Sequence, residues 1–216
     1  MKRLLLLAAC FGLLLAASPQ DPGKDLKSKD YETRKAAVST IVSSPDKNAE
    51  KNLITALKDE DWEIVEMAAK GLGELGPDVV GKNGIKALTK MALEAPVRRL
   101  RQTAAEALSQ IDPKEAAKAF TKKLGGKTSL PASEALIEIA GESEERKAPK
   151  ALKKAVDKGK EYAVRVAAAR AMLIAGSQDR ASNLEYILKN EHVGVRCAAL
   201  DVVLEGAVIE DLDKVE

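Results

Sequence analysis

The chain has 216 residues, 45% of them hydrophobic and 31% charged but only 3% aromatic, with a formal net charge of +2. This composition excludes a disordered chain and points to a core of Ala, Leu, Val and Ile in close-packed helices rather than a sandwich or barrel. The surplus charge comes from Lys2 and Arg3; residues 19–216 hold 33 basic and 33 acidic side chains, a balance that argues against a nucleic-acid binder.

The chain opens with MKRLLLLAACFGLLLAASPQ: a basic start, an apolar stretch from Leu4 to Ala17, then small residues and Pro19. This is the three-part form of a secretory signal peptide over residues 1–18. Its 14 apolar residues are too few for a membrane span of roughly 20. Cleavage after Ala17 or Ser18 would place the chain in the periplasm or outside the cell, with no span remaining. The alternative is LAAC at 7–10, which resembles a lipoprotein signal and would leave the chain anchored through a lipidated Cys10. The apolar FGLLLAA beyond that cysteine speaks against it. Residues 19–29 read as a linker or a short first helix.

From residue 30 to 206 the chain repeats. Aligned on Arg165, the matching positions are Arg34, Val65, Arg101, Ala132, Arg165 and Arg196, at spacings of 31, 36, 31, 33 and 31. Three residues on, every unit has alanine: Ala37, Ala68, Ala104, Ala135, Ala168 and Ala199. Seven on, every unit has a large apolar residue: Ile41, Leu72, Leu108, Ile139, Met172 and Val203. Eight before the anchor stand Leu26, Leu57, Leu93, Leu124, Asp157 and Leu188, with Val156 one step from the exception. These offsets lie on one face of a 3.6-residue helix. The small residue lets a neighbouring helix approach, and the large one fills the space beside it.

Upstream of each anchor runs a shorter helical pattern, as in KNLITALKD, IKALTKMALEA and NLEYILKN. Breakers part the segments: SSPD at 43–46, GPD at 76–78, DP at 112–113, LGGK at 124–127 and AGSQD at 175–179. Each unit is therefore two antiparallel helices. One pair cannot bury its apolar face alone, so the pairs must stack as a solenoid. The acidic residues 207–216 follow as a cap or tail.

The stretches DYETRKAAVSTI, RLRQTAAEALSQI, EYAVRVAAARAML and HVGVRCAALDVV resemble the short HEAT-like repeat of phycobilisome lyases and many bacterial proteins. The second unit departs with Val65 in the arginine position, and the fourth, LPASEALIEIAG, lacks both acid and arginine. The resemblance implies an all-α fold, a right-handed α-solenoid of about six stacked antiparallel helix pairs. It also implies a stacking role for Arg34, Arg101, Arg165 and Arg196, which would pair between units with acids such as Asp30, Asp61 and Glu161. Those acids also sit where they can cap the second helices.

No set of catalytic residues emerges, and no cofactor or metal is expected. His192 is the one histidine, so no zinc pair exists, and a capping or surface role is expected of it. Cys197, in the apolar run VRCAALDVV, reads as a small buried hydrophobe. GGKTS at 125–129 lacks the earlier glycine of a phosphate loop, since Thr121 stands there, and reads as an inter-helix turn. Glu144 and Glu145 read as acids at a helix start, and Trp62 as packing over one. Residues 114–160 hold 12 basic and 7 acidic side chains, whereas 185–216 hold 3 and 8. Lys147, Lys150, Lys154 and Lys158 read as a solvated outer face.

The reading that follows is an exported, non-enzymatic scaffold that binds a protein partner in the groove of the solenoid. Lys35, Glu66, Lys70, Arg98, Arg101, Gln102, Glu134 and Arg170 are its expected lining. The alternatives are a structural subunit of an envelope assembly and, from the resemblance alone, a bilin-lyase-like enzyme.

Overall fold

The structure is a computed structural model and describes residues 21–124, 127, 129–140, 150–175 and 177–204. The leader with Cys10, the acids Glu144 and Glu145, Lys147 and the tail 207–216 lie outside the described residues. Among the described residues there are twelve α-helices, one 3-10 turn at Ser177–Asp179 and no strand. The fold is an all-α solenoid.

The helices follow one another as six pairs. Helix α1 (Pro22–Asp25) precedes α2 (Tyr31–Ser43), and α3 (Ala49–Ala56) precedes α4 (Trp62–Val79). Then come α5 (Lys82–Glu94) with α6 (Arg98–Ile111) and α7 (Pro113–Thr121) with α8 (Ser129–Ala140). The last two pairs are α9 (Lys150–Lys158) with α10 (Tyr162–Ala175), and α11 (Arg180–Leu188) with α12 (Val193–Val202). The second helices pack on one another in succession from α2 to α12, and α3, α5 and α7 form a neighbouring layer.

The repeat columns explain that stacking. All six alanines three residues beyond the anchor are at most 4% exposed. Of the large residues seven beyond, Ile41 to Met172 are buried, and Val203 packs partly buried against the same core. In the fifth unit Val156 is fully buried while Asp157 points out and accepts a hydrogen bond from the Tyr186 hydroxyl. The column is thus kept by the one-step shift.

Glycine sets two close approaches. A Cβ on Gly71 would strike the Val42 side chain, and one on Gly73 would lie 3.0 Å from the Ala107 Cα. Large meets small across α2 and α4, and small meets small across α4 and α6. Near its end α4 breaks at Gly76, whose φ of +63° and ψ of −168° belong to a region nearly reserved for glycine. Pro77 restarts a single turn, which accounts for the longest repeat spacing. The next helix is capped from the unit before it: Glu50 on α3 accepts from Gly81 N at 3.0 Å and Gly84 N at 2.8 Å.

Candidate functional site

The recurring arginines have a shared geometry that sequence spacing did not show. Each donates to the backbone carbonyl six residues before it. Arg34 reaches Ser28 O at 3.1 Å, Arg101 reaches Ala95 O at 3.1 Å, Arg165 reaches Gly159 O at 2.7 Å and Arg196 reaches Asn190 O at 2.7 Å. That carbonyl belongs to the turn between the two helices of the same unit. The arginine therefore locks its own turn first, satisfying a group the helix end leaves bare.

Three of the four also reach into the next unit. Arg34 is 5% exposed; it forms a two-point pair with Asp59, at 2.9 and 3.2 Å, and also donates to Asp61. Arg101 meets Glu134 at 3.3 Å. Arg165 meets the Nε2 of His192, which stands in the register position of Asp61. Where the second unit has Val65 instead of arginine, the third has Val97 instead of the acid, so the charge is lost on both sides at once. The hydrogen bond to Asp59 holds the Arg34 guanidinium above its ordinary range, against the opposing effect of burial.

The acids divide by role. Asp30 caps α2, accepting from Thr33 N at 2.8 Å, and the bonds from Thr33 hold its carboxyl below the usual value. Asp61 makes no cap bond; its carboxylate turns to Arg34 instead. Glu161 is exposed, and the unit before it has Ala132 where a pairing arginine would stand.

A second ladder runs between the second helices of neighbouring units. Lys35 donates to Glu63 at 2.9 Å, and Tyr31 donates to the same carboxylate. Those two bonds, Tyr31's the larger, keep Glu63 below its usual value. Glu66 takes Lys70 at 2.8 Å and Arg99 at 3.0 Å. Burial pushes its carboxyl up, but the bonds from Lys70 and Arg99 outweigh that and hold it low. Arg98 meets Glu134 at 3.5 Å, and Gln102 donates to Glu138 at 3.0 Å.

This geometry corrects the expected groove lining. Glu66 is 5% exposed, and the Arg101 and Glu134 side chains are 18% and 17% exposed. They join units to one another rather than facing solvent. Arg170 is half-buried on α10. Lys35, Lys70 and Arg98 stay accessible at the rim but are each engaged by an acid.

Three further expectations are corrected. Trp62 is 53% exposed, because it is the first residue of α4 and stands at the edge where that helix begins. The Arg99 guanidinium lies 5.6 Å from its ring centroid, within cation–π range. Cys197 is exposed, because it lies on the side of α12 that faces away from α10. His192 supplies an inter-unit contact and makes no side-chain cap bond.

The starts of the second helices share one edge of the stack, and four of them place an exposed apolar side chain on it. Trp62 begins α4, Val97 immediately precedes α6, Tyr162 begins α10 and Val193 begins α12; their exposures are 53, 46, 56 and 63%. Arg98 and Arg99 stand beside Val97, with side chains 67% and 64% exposed. Sequence periodicity missed this row because it scores the face that packs, whereas these residues sit where each helix begins.

An open, polar hollow of about 470 Å³ lies beside α1 and is lined by Asp21, Lys24, Asp46, Asn48 and Lys51 among others. Among the described residues no group of three or more His, Cys, Asp or Glu side chains could hold a metal ion, and no helix is long and apolar enough to cross a membrane. On the outer side Lys153 lies 4.0 Å from the Tyr186 ring centroid. The Tyr186 hydroxyl is pushed up to about 12, chiefly by burial and then by its bond to Asp157.

Residues 24–109 match the family described as HEAT repeats. No curated protein matches the chain. Among solved structures, the chain is similar to the complex of CpcE and CpcF of phycocyanin lyase from Nostoc sp. PCC7120, at 24% identity and a TM-score of 0.47, covering 83% of this chain and 73% of that one. It is also similar to an engineered protein, at 23% identity and a TM-score of 0.41, covering 86% and 94%. A third likeness is to YibA of E. coli, at 19% identity and a TM-score of 0.43, covering 89% and 73%.

Proposed function

We propose that the chain is an exported, non-enzymatic scaffold that holds a protein partner along the edge where its second helices begin. One observation carries this reading: Trp62, Val97, Tyr162 and Val193 stand exposed in a row, with Arg98 and Arg99 between them. Exposed aromatics and arginines beside a polar rim are the composition of protein-binding anchors. Successive helices are about 8–10 Å apart, so the row is extended and open, a shape that suits a protein surface better than a small molecule. The leader at residues 1–18 supports export to the periplasm or beyond. The inter-unit ladders keep the edge rigid, so little ordering cost falls on binding.

Site-specific photocrosslinking in the native envelope fraction tests this. A crosslinking side chain is placed at Trp62 or Tyr162, and at Lys86 and Lys154 on the first helices as controls. The expected result is one shared protein adduct from positions 62 and 162 and none from 86 or 154. Adducts from the first helices alone would overturn the edge reading.

A further inference from the structure

We infer that the first-helix side of the stack docks on an anionic lipid bilayer, with rows of lysine making the contact. Lys82, Lys86 and Lys90 follow at steps of four along α5. The row recurs as Lys114, Lys118 and Lys122 along α7 and its C-cap, and as Lys150, Lys154 and Lys158 along α9. Residues at that spacing share one side of a helix, and all of these are exposed. The opposite side of each helix is fully buried, at Leu88 on α5, Phe120 on α7 and Leu152 on α9. The packing of the core therefore fixes the direction in which the lysines point.

Charge is sorted by layer. Helices α3, α5, α7 and α9 carry ten lysines, four acids and no arginine, whereas the six second helices carry nine basic and nine acidic residues. The two lysines of the second helices, Lys35 and Lys70, are each held by an acid. The four acids of the first helices cancel little of the surplus. Glu50 accepts from the Gly81 and Gly84 amides and Asp157 from the Tyr186 hydroxyl. Glu94 lies 4.0 Å from Lys90 and Glu115 3.3 Å from Lys118. Lys82, Lys86, Lys114, Lys122, Lys154 and Lys158 pair with no acid among the described residues. A surface so charged repels itself, and an anionic partner relieves that.

The chemistry of the face favours lipid headgroups over a protein. None of the eight exposed large apolar side chains among the described residues lies on α3, α5, α7 or α9. A protein interface needs such anchors and is poor in lysine at its centre. A headgroup layer needs only positive charge and accepts mobile ammonium groups. The planar fork of arginine suits fixed two-point contacts, and this molecule spends it between units instead. Each lysine row is about 12 Å long. Helices α3, α5 and α7 lie side by side, and α9 packs on α10 as α7 does on α8. Neighbouring rows about 8–10 Å apart fall within about one Debye length of each other, so they act together. Trp62 and Tyr162 begin other helices, which leaves their edge free while this side is docked.

Flotation of the protein purified from its own host tests the inference, with vesicles of phosphatidylcholine alone and of phosphatidylcholine with phosphatidylglycerol. Binding should be stronger to the anionic vesicles and fall about tenfold or more in about 1 M salt, where the Debye length is about 3 Å. On those vesicles Lys86, Lys122 and Lys154 should be slowed in acetylation, and Lys27 should not. Lys86→Glu with Lys122→Glu should weaken binding about tenfold or more. Lys27→Glu with Lys29→Glu makes the same charge change at exposed positions before α2 and should leave binding unchanged. Circular dichroism confirms that all three chains keep their helices. Absence of protection at Lys86 and Lys122, or an equal loss in the two variants, would overturn the inference. So would failure to float with the anionic vesicles; capture on immobilised polyglutamate in that case would make an acidic protein the occupant.

Discussion

The anchor arginine does two jobs with one side chain. Its reach to the carbonyl six residues back closes the turn of its own unit, and its remaining donors cross to the next. The second job tolerates substitution more readily than the first: the acceptor is a carboxylate at Asp61, an imidazole at His192, and is replaced together with its arginine at Val65 and Val97. The arginine column and its structural sense were legible in the sequence because they repeat. The carbonyl partner was not, since every residue has one. Taken alone, His192 reads as a lone histidine; its register makes it the occupant of an acid's place. The charge of Glu66 suggests an exposed position, but its place on the packed side of α4 buries it. Its carboxyl is held below its ordinary 4.5 in the fold. The ion pairs with Lys70 and Arg99 therefore stabilise the protein fully above that pH, and their contribution fades as pH falls through the lower, folded value. Glu66→Gln is expected to cost about 1 kcal/mol at pH 7 and progressively less as the pH falls below 4.5, as measured by urea unfolding across that range.

Between helices, the limiting quantity is how closely two backbones can approach. Alanine at the third position after each anchor was a sequence-level sign of that closeness, and those alanines are buried. The glycines were less readable. In GLGELGP the proline after Gly76 marks a break, but nothing marks Gly73, which has a neighbouring backbone against it, whereas Gly76 needs its backbone angles and has open space around it. Only the packing of α4 on α6 shows the role of Gly73. Gly73→Val would place a branched side chain against the Ala107 backbone and is expected to destabilise the protein by about 2 kcal/mol, even though valine is the better helix former. Thermal unfolding checks this: a midpoint unchanged or raised would mean that α4 and α6 can part freely.

At the level of the whole molecule, periodicity revealed the solenoid and the faces that pack, while the candidate docking edge stayed hidden. Trp62, Tyr162 and Val193 occupy equivalent positions in their units, but the residue type varies from unit to unit, so no column announces them. Trp62 is half exposed, and its removal leaves the core intact. Trp62→Ala is accordingly expected to weaken capture of the partner found by crosslinking by tenfold or more while leaving the thermal midpoint within a degree or two. A large fall in the midpoint would instead make Trp62 part of the fold.

The connector after Gly76 has a consequence for how such arrays vary. The second repeat spacing is 36 residues where three others are 31, yet the alanine and leucine columns on either side keep their register. The extra length is spent between Gly76 and Gly81, and the Glu50 carboxylate fastens the far end of it onto α5. Connector length is thereby decoupled from helical pitch. A fluorescent reporter or a foreign domain spliced between the exposed Asp78 and Val79 would enter a joint the molecule has already learned to lengthen, and the units on both sides would not register its arrival.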